Sequence, residues 1–324
     1  MSFKAPWPLD NGHVQTVLGS TGRRWIMPRR EADFLSQEAV VDITVPDGAT
    51  LRSKVNEVAG APLVVLIHGW LGCDHSSYVL SAAAHLHRSG FTTARINLRD
   101  HGDTEALNEE MYHSALTQEI AELALCLGER FGGAGTGVMG YSLGGNFALR
   151  VARETGLPTL AICPAVDPVR TMHQIDHGAS IYRHYFLGKW RRSLQAKAQA
   201  FPDRYDFNRA YTLNSVQALT DYFVRYHSEF PSVEDYFSRY DLSGSALEGV
   251  TAQILVAEDD PVIPVSQFDG LPSSLEIHRI AGGGHGSFVK DYALNSWCDD
   301  YARRWAEEQI SAPAVSEASI AQAG

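Results

Sequence analysis

Short runs that are apolar at every position alternate with stretches of helical period along most of the chain. Leu63–Ile67 is wholly apolar, as expected of a strand buried on both faces of a parallel sheet. Thr92–Asn97, the run ending at Met139, Thr159–Cys163, Gln253–Ala257 and Leu275–Ile280 read as further strands. Between them, Tyr78, Ala82 and Leu86 predict a helix ending by Gly90, and Leu116, Ile120, Leu123 and Leu127 predict another. A third helix starts at Leu143, and a last amphipathic one covers roughly 292–309. Ala39–Val45 and 50–58 alternate on either side of Pro46-Asp47-Gly48, which reads as a β-hairpin. The first forty residues show no simple period. There Asn11-Gly12 reads as a turn, Trp7 is expected to pack on the main body, and His13 reads as a structural histidine ahead of a site residue.

Strands alternating with helices predict an α/β protein with a mostly parallel, doubly wound sheet. From about Pro168 to Gly249 the rhythm changes to aromatic-rich helical segments without a buried strand, which reads as an inserted helical cap. The expected organisation is a core of residues 1–167 and 250–310, a cap of 168–249, and an Ala/Ser-rich tail of 311–324 expected to be disordered. There are no internal repeats.

Charge narrows the partners. With 27 basic and 38 acidic residues the formal net charge is −11, which argues against nucleic acid, whose phosphates need a basic surface. Cys73, Cys126, Cys163 and Cys298 are scattered without a C-x-x-C spacing and read as reduced cysteines, not a disulfide frame or zinc site. No stretch approaches the roughly 20 apolar residues of a membrane span, and Met1–Asp10 lacks a signal-peptide core, so the expected location is cytoplasmic. The sequence leaves the oligomeric state open.

The candidate chemistry centres on Gly140-Tyr141-Ser142-Leu143-Gly144, a Gly-x-Ser-x-Gly turn between a strand and a helix. Such a turn holds the serine in a strained conformation with its hydroxyl exposed, and a Cβ at either glycine would collide with the neighbouring strand or helix. A serine hydroxyl needs an imidazole to take its proton, and the imidazole needs a carboxylate to orient it. On this fold both should follow later strands, in the order serine, acid, histidine. His285, after Gly282-Gly283-Gly284, follows the last predicted strand. Glu258, Asp259 and Asp260 compete for the acid role; Asp260 is preferred because Pro261 and Pro264 stiffen the loop after it, with Asp259 the main rival. The oxyanion donors would be the amides of Leu143, at the helix start, and of Trp70, in the loop after His68-Gly69. His68 itself reads as a buttress of that loop.

This combination resembles the α/β-hydrolase superfamily. The segment Pro6-Trp7-Pro8-Leu9-Asp10-Asn11-Gly12-His13-Val14-Gln15-Thr16 is similar to the opening signature of its YheT-like branch of predicted esterases, with Pro8 where that signature has a second tryptophan. Tyr112-His113-Ser114 and Asp259-Asp260-Pro261 also match the branch. Two stretches depart from it: Arg99-Asp100-His101-Gly102-Asp103 replaces an Arg-Gly-Cys-like loop, and Gly286 and Ser287 occupy the two positions after His285 where the branch reads His-x-Gly-Phe. The branch includes medium-chain ester hydrolases and acyltransferases and lipid-cleaving enzymes.

The expected function is therefore a serine esterase that cleaves short- to medium-chain acyl esters through an acyl-enzyme, without cofactor or metal. The alternatives are transfer of the acyl group to an alcohol by the same residues, lipid or phospholipid acyl hydrolysis, and a non-catalytic binding module on the same fold. Activity should fall as pH drops below roughly 6 to 7, because the general base must be neutral. Lys189-Trp190-Arg191-Arg192 and Lys197 form a basic, aromatic patch where an anionic or phospholipid headgroup would dock, although a solvated helix face explains it as well. Tyr182, Tyr185, Phe186, Phe201, Tyr222, Phe223 and Tyr226 are candidates to wall an acyl pocket.

Overall fold

A computed structural model describes residues 3–310. The 311–324 tail lies outside the described residues. Eight strands form one sheet: β1 (Ala39–Thr44), β2 (Thr50–Asn56), β3 (Leu63–Ile67), β4 (Thr92–Ile96), β5 (Thr136–Tyr141), β6 (Thr159–Ile162), β7 (Ala252–Ala257) and β8 (Leu275–Ile280). Their spatial order is β1-β2-β4-β3-β5-β6-β7-β8. β1, β2 and β4 pair antiparallel, and every pairing from β4 onward is parallel. Six parallel strands bring their carboxyl ends, and the loops that follow them, to one edge.

The all-apolar run of β3 is explained by the layers on either side of it. Leu63, Val65 and Ile67 pack with Ile120, Leu123 and Leu127 of the helix Thr117–Phe131 and with Phe147 and Val151 of the helix Leu143–Thr155. Val64 and Leu66 face the other way, towards Val79, Leu80 and Ala83 of the helix Ser77–Arg88 and Ala302 and Trp305 of the helix Trp297–Gln309. Burying each large apolar side chain contributes about 2 kcal/mol, so both faces must be covered. Between β6 and β7 the chain runs through the helices Pro168–His177, Ser180–Ala200, Val216–His227 and Val233–Ser238. Leu187, Leu194 and Leu219 of this stretch join Ile254 and Val256 of β7 in a third apolar cluster.

Three expectations from sequence need correction. The last helix starts at Trp297, where Ser296 caps it by accepting a bond from the Cys298 amide, and not near Tyr292. The first forty residues hold the helices Gly12–Val17, Arg23–Arg30 and Ala32–Ser36, and Asn11 is the cap of the first of them, its Oδ1 accepting from the amides of His13 and Val14. Trp7 does not pack on the body. Its side chain is 79% exposed, because the buried anchors of this segment are Ala5 and Leu9, while the Tyr292 hydroxyl holds the Trp7 carbonyl at 2.7 Å.

Candidate active site

Ser142 stands at the junction of β5 and the helix Leu143–Thr155 with φ 56° and ψ −120°, outside the regions an L-residue ordinarily adopts. Its neighbours hold it there. The Ser142 amide donates to the Ile162 carbonyl at 2.9 Å, and the Ser142 carbonyl accepts from Asn146 and Ala165. A Cβ on Gly140 would strike the Gly144 carbonyl, and one on Gly144 would strike the carbonyls of Ile67 and His68, so strand and helix meet here at backbone distance.

The loop after β3 is pressed against the serine. A Cβ on Gly69 would lie 3.2 Å from Ser142 Cβ, and the Gly69 amide donates to the Tyr78 hydroxyl at 3.0 Å. The next turn contains Leu71 at φ 57°, clamped at both ends. Its amide donates to His101 Nε2 at 3.2 Å, and its carbonyl accepts from Lys189 Nζ at 2.7 Å. His101 Nδ1 donates to the Arg99 carbonyl at 2.7 Å, which fixes the tautomer that leaves Nε2 as acceptor. His68 is fixed likewise: Nδ1 donates to the Gly69 carbonyl and Nε2 accepts from the Leu98 amide. Both rings are buried, and burial drives His68 well below, and His101 down to about 4 from, the ordinary histidine range. They are neutral braces of the loop. Trp70 and Leu143, whose amides are the predicted oxyanion donors, both line the cavity that contains Ser142.

The acid and histidine loops follow β7 and β8. Asp260 Oδ2 lies 2.8 Å from His285 Nδ1, and Asp260 Oδ1 accepts from the amides of Val262 and Ile263 at 2.8 and 2.9 Å. The Asp260 side chain is 2% exposed. Asp259 points elsewhere: its Oδ1 accepts from the Gly284 amide at 2.9 Å, and burial raises its carboxyl above the usual range. The two carboxylates thus have different partners. Of the glycines before His285, Gly283 and Gly284 have positive φ, at 134° and 58°, and Gly286 behind it adopts 68°. Gly286 lies over Tyr141, where an added Cβ would be 3.5 Å from the ring, so the histidine loop and Ser142 share the same sheet edge. Among the described residues, no hydrogen bond joins Ser142 Oγ to His285.

The cavity lies between the sheet edge and the helices that precede β7. Of the seven aromatic residues proposed as its wall, Phe186 and Phe223 line it; Trp70, Trp190, Tyr236 and Tyr240 do so without having been singled out for this. Most of the basic patch is committed to the fold, whereas Arg192 is exposed and bonds the Gly188 carbonyl of its own helix. Lys197 is buried, with Nζ 2.8 Å from Asp100 Oδ1 and donating also to the carbonyls of Asn108 and Glu110. Lys189 is held by Leu71, and Arg191 by the Leu213 carbonyl. His101, Tyr78 and Lys189 were not foreseen as parts of the site, because their roles depend on long-range contacts and no local pattern marks them.

The α/β-hydrolase family model matches residues 64–306, three quarters of the chain. The chain belongs to the α/β-hydrolase family. It is 24% identical over 318 residues to YheT of Escherichia coli (strain K12), named as a candidate esterase, covering 93% of this chain and 89% of that protein. It is 22% identical to protein abhd-3.2 of Caenorhabditis elegans, covering 84% of this chain and 72% of that one. Among solved structures, the Pyrococcus furiosus esterase Pf2001 is similar with a TM-score of 0.56 at 13% identity, covering 86% of this chain and 95% of that one. The α/β-hydrolase assignment and its YheT-like character therefore stand, and an esterase-like hydrolase is the activity class this supports. Among the described residues no helix is long and apolar enough to cross a membrane.

Proposed function

We propose that this hydrolase is a serine esterase that cleaves carboxylic esters with apolar, short- to medium-chain acyl groups. The observation that carries the reading is Ser142 itself: a strained hydroxyl at a strand–helix elbow, opening into a cavity walled largely by apolar side chains. In the reaction Ser142 Oγ attacks the ester carbonyl while His285 Nε2, the ring nitrogen not engaged by Asp260, takes the Oγ proton. The carbonyl oxygen becomes an oxyanion held by the amides of Trp70 and Leu143. Collapse of this adduct breaks the bond to the alkoxy oxygen, which leaves as alcohol with the proton from His285. Water then attacks the acyl-enzyme by the same route, releasing the acid and restoring Ser142. Asp260 keeps the imidazole in the required tautomer and orientation. Residues 168–249 act as the cap that roofs the acyl site.

A p-nitrophenyl ester series of increasing acyl length, run beside Ser142→Ala, tests this. Turnover should rise and then fall with acyl length in the wild type and drop at least roughly 10³-fold in the variant. A variant that keeps most of its turnover refutes the assignment. Ester yield in the presence of added alcohol separates hydrolysis from acyl transfer.

A further inference from the structure

The N-terminal Asn-Gly-His-Val-Gln-Thr segment has no part in the mechanism above, yet it touches the chain before, at and after His285. Thr16 Oγ1 accepts from the His285 amide at 2.9 Å and donates to the Gly12 carbonyl at 2.7 Å. Gly284 fits beneath this helix with no room to spare, since an added Cβ would lie 2.5 Å from the Gly12 carbonyl and 2.7 Å from Thr16 Oγ1. Gln15 grips the chain beyond the histidine: its Nε2 donates to the Val289 carbonyl at 2.9 Å and its Oε1 accepts from the Val289 amide at 2.7 Å. A Cβ on Gly12 would strike the Asp259 carbonyl, so the acid loop abuts the same helix. Thr16 and Gln15 are buried.

A loop with positive φ at Gly283, Gly284 and Gly286 has little intrinsic reason to hold one conformation. The hydrogen bond from His285 Nδ1 to Asp260 fixes only the ring. Something must fix the backbone that carries the ring: Asp259 holds the Gly284 amide, and the helix Gly12–Val17 holds the amide of His285 itself. We propose that this helix is a positioning element for His285, with Thr16 as the positioning residue that sets where the imidazole stands over Ser142. The inference rests on the serine-esterase reading of the site. His13 extends the same element outward, its Nδ1 2.8 Å from the hydroxyl of Tyr182 on the helix Ser180–Ala200.

The test compares Thr16→Val, Thr16→Ala and Thr16→Ser, with rates expressed per active site titrated by a fluorophosphonate. Loss of the hydroxyl in the Val and Ala variants should lower kcat roughly tenfold to a hundredfold, the cost of a misplaced catalytic group, with KM changing less than about twofold. Thr16→Ser, which keeps the hydroxyl, should return kcat to within about threefold of wild type. A role confined to stability would lower Tm and the number of titratable sites but leave kcat per site unchanged, and that result overturns the proposal. So does a Thr16→Ser variant as impaired as Thr16→Val, or a loss carried by KM. Should the Val variant not fold, the Ala and Ser pair makes the same comparison. Failure of the esterase reading looks different, because the wild type would then neither react with the fluorophosphonate at Ser142 nor lose turnover in Ser142→Ala.

Discussion

Asp260 Oδ2 sits 2.8 Å from His285 Nδ1, while the carboxylate of Asp259, one residue earlier, is spent on the Gly284 amide. The peptide geometry after β7 turns adjacent carboxylates to different tasks, one on the ring and one on the loop that carries the ring. Neutralising each in turn should therefore give unequal results. Asp260→Asn should cut kcat by roughly 10³- to 10⁴-fold, because the amide favours the wrong imidazole tautomer. Asp259→Asn retains an oxygen acceptor for Gly284 and should cost less than about tenfold. Steady-state kinetics on both variants checks the order, and a reversed order would reassign the acid.

The two close approaches around Ser142 predict two kinds of failure. Gly144→Ala would drive a methyl into the carbonyls of Ile67 and His68, which are strand-end backbone and cannot yield. A loss of about 3 kcal/mol in stability is expected, read as a shift in the urea midpoint. Gly69→Ala meets Ser142 Cβ at 3.2 Å instead, a contact relieved by small shifts of the loop. It should fold nearly normally and lose tenfold or more in kcat.

Acid should loosen the loop after β3. His101 titrates at about 4 in the fold against an ordinary 6.5, because burial disfavours the charged ring. The folded value lies below the unfolded one, so the stabilisation is full above about pH 6.5 and is lost as pH falls towards 4. The full difference is about 3 kcal/mol. His68 and His113 are depressed in the same direction, so the contribution of His101 must be read as a difference. The stability gap between wild type and His101→Gln should narrow steadily from pH 6.5 to 4. A gap independent of pH would show that His101 is not neutral in the fold.

Lys197 and Asp100 form a buried pair beneath the cavity, and burial pushes the two groups towards their neutral forms. Removing one charge leaves the other stranded. Lys197→Met should destabilise the protein by about 3 to 5 kcal/mol. Asp100 has φ 57°, a conformation asparagine tolerates, and its Oδ2 accepts from the Tyr112 amide. Asp100→Asn in the Lys197→Met background should therefore recover part of the loss, as measured by urea unfolding.

β3 was legible because burial on both faces leaves no polar position in it, and β8, which keeps Glu276, His278 and Arg279 at the sheet edge, also falls where the pattern placed it. The elbow was legible because its chemistry is local: Gly140, Ser142 and Gly144 meet in space because they alternate within one short turn of the sequence. The meeting of His285 with Asp260 could be anticipated because each follows a strand of the same sheet. By contrast, Tyr78, His101 and Lys189 each contact the Gly69–Leu71 loop from a separate element, and no periodicity records a partner 9, 30 or 118 residues away. The N-terminal segment escaped for a further reason. Its short helices bury few side chains, among them Gln15, Thr16 and Arg23, so the apolar period that reveals a helix is missing.

The bond from Lys189 Nζ to the Leu71 carbonyl ties the helix Ser180–Ala200 to the turn that carries the Trp70 amide. An outward swing of the helix Ser180–Ala200, wide enough to admit a bulky ester, has to release that carbonyl first. On the proposed esterase reading, access and competence would be traded against each other: with the doorway open the turn meant to hold the oxyanion would be unlatched, and closing behind the substrate would set it again.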